Sequence, residues 1–444
     1  RRDANFAHMA TTFRTEAKCE ARQRHVLPTY IDLMGEYDTP KTLADVKASP
    51  QREAWEASMR EELANLRRNN VFRRVRKTKG QHLLRGRWVY KLKRDAAGRI
   101  TRFKSRFVVQ GFRQVRHLEY EDTHASVPRA TTIRLFLAYV ADEDLECDQL
   151  DLVAAFLQCP VHHPLFLTSI PGFEIEVGPM EVLQLDRALY GIVQGPRELQ
   201  THLNKVFTTY SLVRSDADPC LHFLYDDSGH PVLLVVVWVD DLLVAGTRPQ
   251  VDAFKKHLKL SFELDDSGPV EHFLGLYISR DRAQRAIEIS QAQYCRDLLK
   301  TFGMENSKSA KTPAIPKSVL GPLDDKEQPT KEPFRRAVGG LLYLSCQTRP
   351  DIANAVRAVA RWSAKPGLEH WTAVKRILRY VRGTMDYVLR YQGRVVLAGY
   401  CDADYATCPH TRRSVSGYLI QSNISPICWT SKTQSTVSLS TCEA

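Results

Sequence analysis

Two adjacent carboxylates, Asp240 and Asp241, interrupt an otherwise apolar stretch, VVVWVDDLLVAG (Val235–Gly246). The flanking runs are apolar enough to be buried as neighbouring strands. Ionised carboxylates cannot follow them unpartnered into a low-dielectric interior, where each would cost roughly several kcal/mol. Either the pair lies on an exposed hairpin tip or a metal ion neutralises it. An Asp-Asp turn is common on plain surfaces, but strands this apolar belong in the middle of a sheet, where they end at sites. A third carboxylate, Asp151 in QLDLVAAFL (Gln149–Leu157), closes a short strand before a helix. If the two strands are neighbours, Asp151 faces Asp240 across the sheet. A pair of Mg²⁺ ions bridging these carboxylates would then suit transfer at a phosphoryl centre.

The elements that must position these groups are legible in outline. Ser49-Pro50 reads as a helix start, with Ser as N-cap and Pro at the first helical position. Trp55, Met59, Leu63 and Leu66 form that helix's apolar stripe. Trp88–Lys93 and Ile100–Val109 read as the arms of a hairpin, with Asp95-Ala96-Ala97-Gly98 as its turn. Thr131–Glu143 is a helix that buries Ile133, Phe136, Leu137 and Val140. A further helix is expected over Ala188–Tyr210. Lys308–Pro333, rich in Pro, Ser, Lys and Asp, reads as a linker. His370–Gly383 follows as an amphipathic helix with Trp371, Val374, Leu378 and Val381 on one face. Lys375, Arg379 and Arg382 on its other face make a modest case for phosphate contact. A β-rich segment begins near Val395. Strands and helices mix without regular βαβ alternation, so the fold class is α+β.

The 444 residues carry 63 Lys and Arg against 51 Asp and Glu, a formal charge of +12. Between Arg60 and Arg116 there are 19 Lys and Arg but three acids, an excess larger than that of the whole chain. A solvated basic face is the plain reading. Concentration in one region favours a surface that tracks phosphates. The ten cysteines form no C-x-x-C pair, which argues against zinc-ribbon and thioredoxin-like sites. No secretory signal opens the chain. The longest apolar run, Val232–Val239, is too short to span a bilayer. The expected setting is intracellular, in a cytoplasmic particle or the nucleus, without a membrane partner.

QLDLVAAFL resembles the first catalytic motif of Ty1/copia-type retrotransposon reverse transcriptases, and WVDDLLVAG is similar to their YVDD motif. Flanking blocks match in the same order, among them RWVYKLKRDAAGRITRFKSRFVVQGFRQ, LDRALYGIVQGPR, HFLGLYISR, AVGGLLYLSCQTRPDI and HWTAVKRILRYVRGT. The resemblance covers roughly residues 50–444. It implies a right-hand polymerase of fingers, palm and thumb, followed by a partial RNase H-like domain. The expected organisation is a poorly ordered leader at 1–48, fingers and palm at 49–300, a linker at 301–335, a helical thumb or connection region at 336–394, and a truncated RNase H-like domain at 395–444.

By the same resemblance, Asp151, Asp240 and Asp241 are the catalytic, metal-binding carboxylates, holding two Mg²⁺ ions with Mn²⁺ as a substitute. One ion would activate a primer 3′-hydroxyl and the other would steady the departing pyrophosphate. Arg106 matches a position that grips the triphosphate of an incoming dNTP, a task suited to the guanidinium fork. Lys104 is a weaker candidate, better read as one more base in a basic strand. Gln194 matches a nucleotide-contacting glutamine, with an amide capping Gly195-Pro196 as the alternative. Phe156 matches an aromatic gate against a 2′-hydroxyl, with simple core packing as its alternative. His272–Tyr277 resembles a primer-grip segment, and a buried strand is equally compatible.

From Gly399 the chain is similar to the start of a copia-type RNase H. Asp402 matches its first metal carboxylate and Glu443 its second. The remaining family carboxylates fall beyond residue 444, so RNase H activity is not expected of this chain alone. No protease or integrase motif occurs, and the chain reads as a fragment of a Pol polyprotein. It departs from the family pattern at Trp238 (Tyr), Ala154 (a polar residue), Glu198 (Trp) and Gly195 (Ala). Three functions compete. The first is an RNA-directed DNA polymerase acting on an RNA or DNA template with primer and dNTPs. The second is a catalytically inactive nucleic-acid-binding remnant. The third is a structural subunit that self-associates or pairs with a complete copy.

Overall fold

The computed structural model describes residues 39–94, 99–174, 177–178, 180–316, 318–324 and 327–444. The expected turn Asp95–Gly98 and residues 1–38 of the expected leader lie outside them. The chain divides into two compact units. One runs up to Pro128 and resumes at Asp148–Gly268; the other comprises Arg129–Cys147 and Pro269–Ala444. This differs from the sequence-based division at residues 300 and 335. In the second unit the helix Ala130–Asp142 is held by a side chain that periodicity does not reveal. Arg134 is buried, with its guanidinium 4.0 Å from the centre of the Trp429 ring. It donates to the carbonyls of Ile427, Cys346 and Gln347 at 2.7–2.9 Å. Asp142 also accepts the Val395 N–H at 2.8 Å. The helix therefore belongs with residues far along the chain.

The first unit is built on a six-stranded sheet. Its order is Leu264–Pro269, Glu146–Leu152, Asp241–Gly246, Pro231–Trp238, Leu221–Tyr225 and Val213–Arg214. The central hairpin is nearly all Val and Leu and is buried along almost its whole length. That composition suits strands covered on both faces. The helix Arg248–Leu258 packs against both of its strands. A second sheet orders Phe72–Arg76, Glu181–Arg187 and Pro160–Leu167. A two-stranded hairpin, Gly86–Arg94 with Ile100–Val109, runs antiparallel from Gly86 opposite Val109, as its alternating pattern suggests. The helix Arg52–Arg68 lies along it and buries Trp55, Met59, Leu63 and Leu66.

Three expected boundaries move. Ser49 is the C-cap of a short helix, Leu43–Ala48, inside the expected leader. The longer helix starts at Arg52, after Ser49 Oγ has accepted the Gln51 N–H. The helix expected from Ala188 begins at Gly195. Gly191 has φ +92, and a Cβ there would meet the Val109 carbonyl at 2.2 Å, so the chain bends at a position that only glycine fits before the helix starts. Asp151 is followed by a single 3₁₀ turn, Ala155–Gln158.

The second unit carries two antiparallel sheets. One orders His272–Phe273, Leu276–Asp281, Ala286–Ser290 and Val388–Gln392; the other orders Leu397–Asp404, Val415–Ser422 and Ser425–Thr433. The helices Ala292–Thr301, Phe334–Gln347, Ala353–Ala360 and Leu368–Gly383 bury a core that includes Trp371, Val374, Leu378 and Val381. The expected linker runs along the last of these helices. Arg379 and Arg382 donate to the carbonyls of Lys308 and Glu305, each at 2.6 Å, and Arg376 donates to Thr312 Oγ1 at 2.8 Å. These arginines tie down the linker, a different task from the phosphate contact expected for that face. No helix among the described residues is long and apolar enough to cross a membrane.

One buried ionic group fixes the helix Arg248–Leu258 to the sheet. Asp148 has a side chain 1% exposed and receives two hydrogen bonds from Arg248, at 2.7 and 3.1 Å. It also pairs with Lys255, which reaches Asp266 at 2.8 Å. Burial alone would raise the Asp148 pKa, but the bonds from Arg248 and Lys255 outweigh it and hold the carboxyl below its ordinary 3.8. A folded pKa below the unfolded one means that this stabilisation is complete above about pH 4. It is lost as pH falls through the folded value. Asp148→Asn is expected to lower the unfolding free energy by about 3 kcal/mol, because it leaves Lys255 without its buried partner. A lower urea midpoint and a flatter acid limb of stability against pH would show it; an unchanged midpoint would refute it. A second test concerns Ala154, which has φ +50. Ala154→Gly is expected to raise stability by about 1 kcal/mol by relieving the left-handed backbone. A drop in urea midpoint would contradict that account.

Candidate active site

The central hairpin pairs Trp238 directly with Asp241, leaving Val239 and Asp240 as its two-residue turn. Val239 has φ +57. A β-branched residue in the left-handed region is a true outlier, and turns that need positive φ at their first position normally take glycine. Strain of this kind persists where surrounding structure enforces it, as at functional sites. The apolar strands on either side supply that enforcement. Asp240 is half-buried and Asp241 is 4% exposed.

The strand carrying Asp151 lies next to this hairpin. Leu152 donates its N–H to the Asp240 carbonyl at 2.8 Å, and the next residue, Val153, donates to the Glu263 carbonyl at 2.9 Å. The chain just after Asp151 is thus clipped on both sides. Side chains alternate along a strand. Asp148 faces the helix Arg248–Leu258, so Asp151, three positions on, belongs to the opposite face. The adjacency that sequence left open is present in the backbone. Carboxylate oxygens are hard donors of the kind that Mg²⁺ takes. Among the described residues, no group of three or more His, Cys, Asp or Glu side chains is placed to hold a metal ion.

Aromatic and basic groups sit beside them. Phe156, half-buried at the edge of the core, meets Tyr190 edge-on at 5.9 Å. The Arg106 guanidinium lies 5.0 Å from the Tyr190 ring centre. Burial pushes the Tyr190 hydroxyl up to about 12, and the charges of Arg106, Glu62, Asp240 and Asp151 all act on it. Tyr190 therefore touches Arg106 and lies within electrostatic reach of Asp240 and Asp151. Sequence reasoning passed over it, although it stands in the quoted block LDRALYGIVQGPR. Glu62 was missed as well. It occupies the apolar stripe of the helix Arg52–Arg68, where an acid is out of pattern. Burial raises its pKa against the opposing effects of the Phe107 N–H, Arg106 and Lys104. Its Oε1 is buried and has no hydrogen-bond partner among the described residues.

Lys104 lies two positions from Arg106 on the strand Ile100–Val109 and so shares its face. Burial lowers the Lys104 pKa to about 7; repulsion by Arg106, Lys93 and Arg102 adds to the shift, and Glu62 opposes it. Both readings of Lys104, a triphosphate contact and one more base in a basic strand, are compatible with this position. Gln194 is 2% exposed, its Oε1 accepts from Gln114 Nε2 at 2.9 Å, and its Nε2 donates to the Glu119 carbonyl at 3.1 Å. Both ends of its amide are committed to protein. It pins the loop at 114–119 to the start of the helix Gly195–Thr209, which is neither of the two expected roles.

In the second unit, Asp402 is exposed and accepts the Ala403 N–H at 2.9 Å, while Glu443 accepts the Leu439 N–H at 2.7 Å. Asp402 bonds its neighbour within the strand Leu397–Asp404, and Glu443 bonds within the turn it stands in. His272 and Tyr277 are exposed and paired across a hairpin, with ring centres 5.2 Å apart. Leu274 and Gly275 at its tip both have positive φ, and Tyr343 Oη donates to the Leu274 carbonyl at 2.7 Å. The segment is a half-buried hairpin: His272 and Tyr277 face out while Phe273 and Leu276 are buried, so it is in part the buried strand that had been equally compatible.

Residues 69–316 match the family described as reverse transcriptase (RNA-dependent DNA polymerase). The chain is 34% identical over 439 residues to the retrovirus-related Pol polyprotein from transposon TNT 1-94 of Nicotiana tabacum. That alignment covers 97% of this chain and 33% of the polyprotein. It is 33% identical over 361 residues to the retrovirus-related Pol polyprotein from transposon RE1 of Arabidopsis thaliana, covering 81% of this chain and 24% of that protein. A Ty5-1 transposon protein of Saccharomyces cerevisiae is 28% identical over 286 residues, 64% of this chain and 92% of that protein. The chain spans about a quarter to a third of the length of the two plant polyproteins. A family match over more than half of its residues, together with a carboxylate pair on a buried hairpin beside Asp151, places this chain in the reverse transcriptase family, among the Pol proteins of copia-type retrotransposons.

Proposed function

We propose that the chain is an RNA-directed DNA polymerase that adds dNTPs to a primer 3′ end on an RNA or DNA template. The observation that carries this reading is the bond from Leu152 N–H to the Asp240 carbonyl, which sets Asp151 beside Asp240 and Asp241. In this reading the first unit supplies fingers and palm. The helices at 334–383 supply a thumb or connection, and residues 395–444 a partial RNase H-like domain. Asp151, Asp240 and Asp241 would hold two Mg²⁺ ions, or Mn²⁺ in their place, which stabilise charge at the reacting phosphate.

The chain's own residues do the positioning. Arg106 presents a planar fork to triphosphate oxygens, and Tyr190 beneath it restricts where that fork can swing. Lys104 adds a second cation on the same face. Phe156, braced by Tyr190, is the aromatic surface against which a sugar would rest. The basic stretch from Arg60 to Arg116 tracks the nucleic-acid backbone. Self-association, or pairing with a complete copy, is a further part of this proposal.

Primer extension with Mg²⁺ on an RNA template tests the reading. Asp240→Asn is expected to reduce extension by about a hundredfold or more while leaving duplex binding in place. Salt-sensitive binding by a wild-type chain that never extends a primer would instead establish the inactive remnant. The Lys104 assignment makes a separate claim about pH. With a pKa near 7, Lys104 is charged below that value and neutral above it. The apparent KM for dNTP is therefore expected to rise as pH goes from 6 to 8, and Lys104→Arg should flatten the rise. A profile identical in the two proteins would remove Lys104 from the triphosphate site.

A further inference from the structure

A cavity of about 360 Å³ opens on the first unit, away from the six-stranded sheet that carries the carboxylates. Its apolar walls include Phe72, Phe173 and Leu183, and Arg67, Arg73 and Arg74 also line it. The geometry follows from the sequence. Phe72 and Arg74 alternate with Arg73 along the edge strand Phe72–Arg76, where Phe72 pairs with Leu185 and Arg74 with Leu183. Arg67 stands in the last turn of the helix Arg52–Arg68. The segment from Arg67 to Lys79 holds seven Lys and Arg and no acid. Arg73 has one ion pair, with Asp186 at 3.4 Å, and both side chains are substantially exposed, so the pair is weak. Arg67 and Arg74 make contacts of their own within the protein.

Apolar, aromatic walls beside several guanidinium groups suit a ligand with a flat apolar part and an anionic part. The volume is near the lower end for ligand cavities and fits one nucleotide rather than a length of strand. A base in a duplex is stacked and paired and cannot enter. A base in a single strand can stack on an aromatic ring while its phosphates meet arginine. We propose that this cavity holds one unpaired nucleotide of a single-stranded nucleic acid, with the base against Phe72 and Phe173 and the phosphate on Arg74, which shares the Phe72 face of the strand. Taking that strand to be unpaired template rests on the polymerase reading above. The binding itself does not.

The test uses the full chain and fluorescence anisotropy with labelled RNA–DNA duplexes, one blunt and one carrying a short unpaired 5′ extension. The extended duplex is expected to bind about tenfold more tightly. That increment should vanish in Arg74→Ala, whose position is exposed and tolerant of change. It should shrink in Phe173→Leu, which removes the ring but keeps an apolar side chain against Trp88. An extension of abasic sites should lose the part that depends on Phe173. An increment that survives both variants, or an abasic extension that binds as well as a normal one, overturns the proposal. Binding is read without synthesis, so a chain unable to extend a primer would still give a clear answer.

Discussion

Everything at the candidate site depends on a conflict between burial and charge. The strands Pro231–Trp238 and Asp241–Gly246 are apolar on both faces and fill the middle of a sheet. The chain between them must nevertheless carry two carboxylates. The fold meets this by making the turn as short as a hairpin allows, which forces Val239 to φ +57. A longer loop would relax Val239 but would let Asp240 drift from the backbone partner that fixes it. The Leu152 N–H reaches the Asp240 carbonyl because neither strand can slide: a one-residue slip would turn every buried Val and Leu outward. The position of Asp151 relative to Asp240 is thus enforced by hydrophobic register, with no need for a direct bond between the two side chains.

The same logic explains the charges behind the sheet. Asp148 is on the helix-facing side of the strand and Asp151 on the other, so the two carboxylates have separate environments. Asp148 is satisfied by Arg248 and Lys255 and takes no part in the site. Its function is to hold the helix Arg248–Leu258 against the sheet at one place and one orientation. A buried ion group gives little net stability but penalises misplacement heavily. Placed three residues before Asp151, it confines the strand from the side opposite the site.

Periodicity made the single elements legible. The Trp88 and Phe107 arms, the buried face of Ile133, Phe136, Leu137 and Val140, and the apolar hairpin all appear where their patterns put them. What periodicity cannot carry is long-range pairing. Strand adjacency at Asp151 was a conditional until the backbone bond was seen. Arg134, which the sequence reading did not single out, proves to be a buried plug between segments some 200 to 300 positions further along the chain. Gln194 was assigned to ligand or cap by local context, yet its partners lie 75 and 80 positions away. Arg379 and Arg382 look like a phosphate-facing row on a helical wheel, but backbone carbonyls of the preceding linker occupy them. In each case the missing information was the location of a distant acceptor, which no local pattern encodes.

The departures from the family pattern take on different meanings once they are placed. Glu198, standing where the family has Trp, is almost fully buried and accepts a bond from His162 Nδ1 at 2.5 Å. The lost ring is replaced by a polar pair, a compensated change. At Gly195 an added Cβ would stand 3.2 Å from Ile192 Cγ1 and 3.5 Å from Phe156, so the family alanine would need the Ile192 side chain to give by a few tenths of an ångström. Ala154 is the uncompensated one. It adopts φ +50, a conformation that a short polar side chain such as Asn tolerates better than Ala, and it lies between Asp151 and Phe156. Relaxed copying would scatter such changes through the core and the carboxylates alike. Here the carboxylates are intact, their hairpin departs at Trp238 with an aromatic ring kept, and the strained backbone falls on one turn beside them. The decisive quantity for this chain is therefore how firmly the 3₁₀ turn after Asp151 is held, because the same turn presents Phe156 to Tyr190.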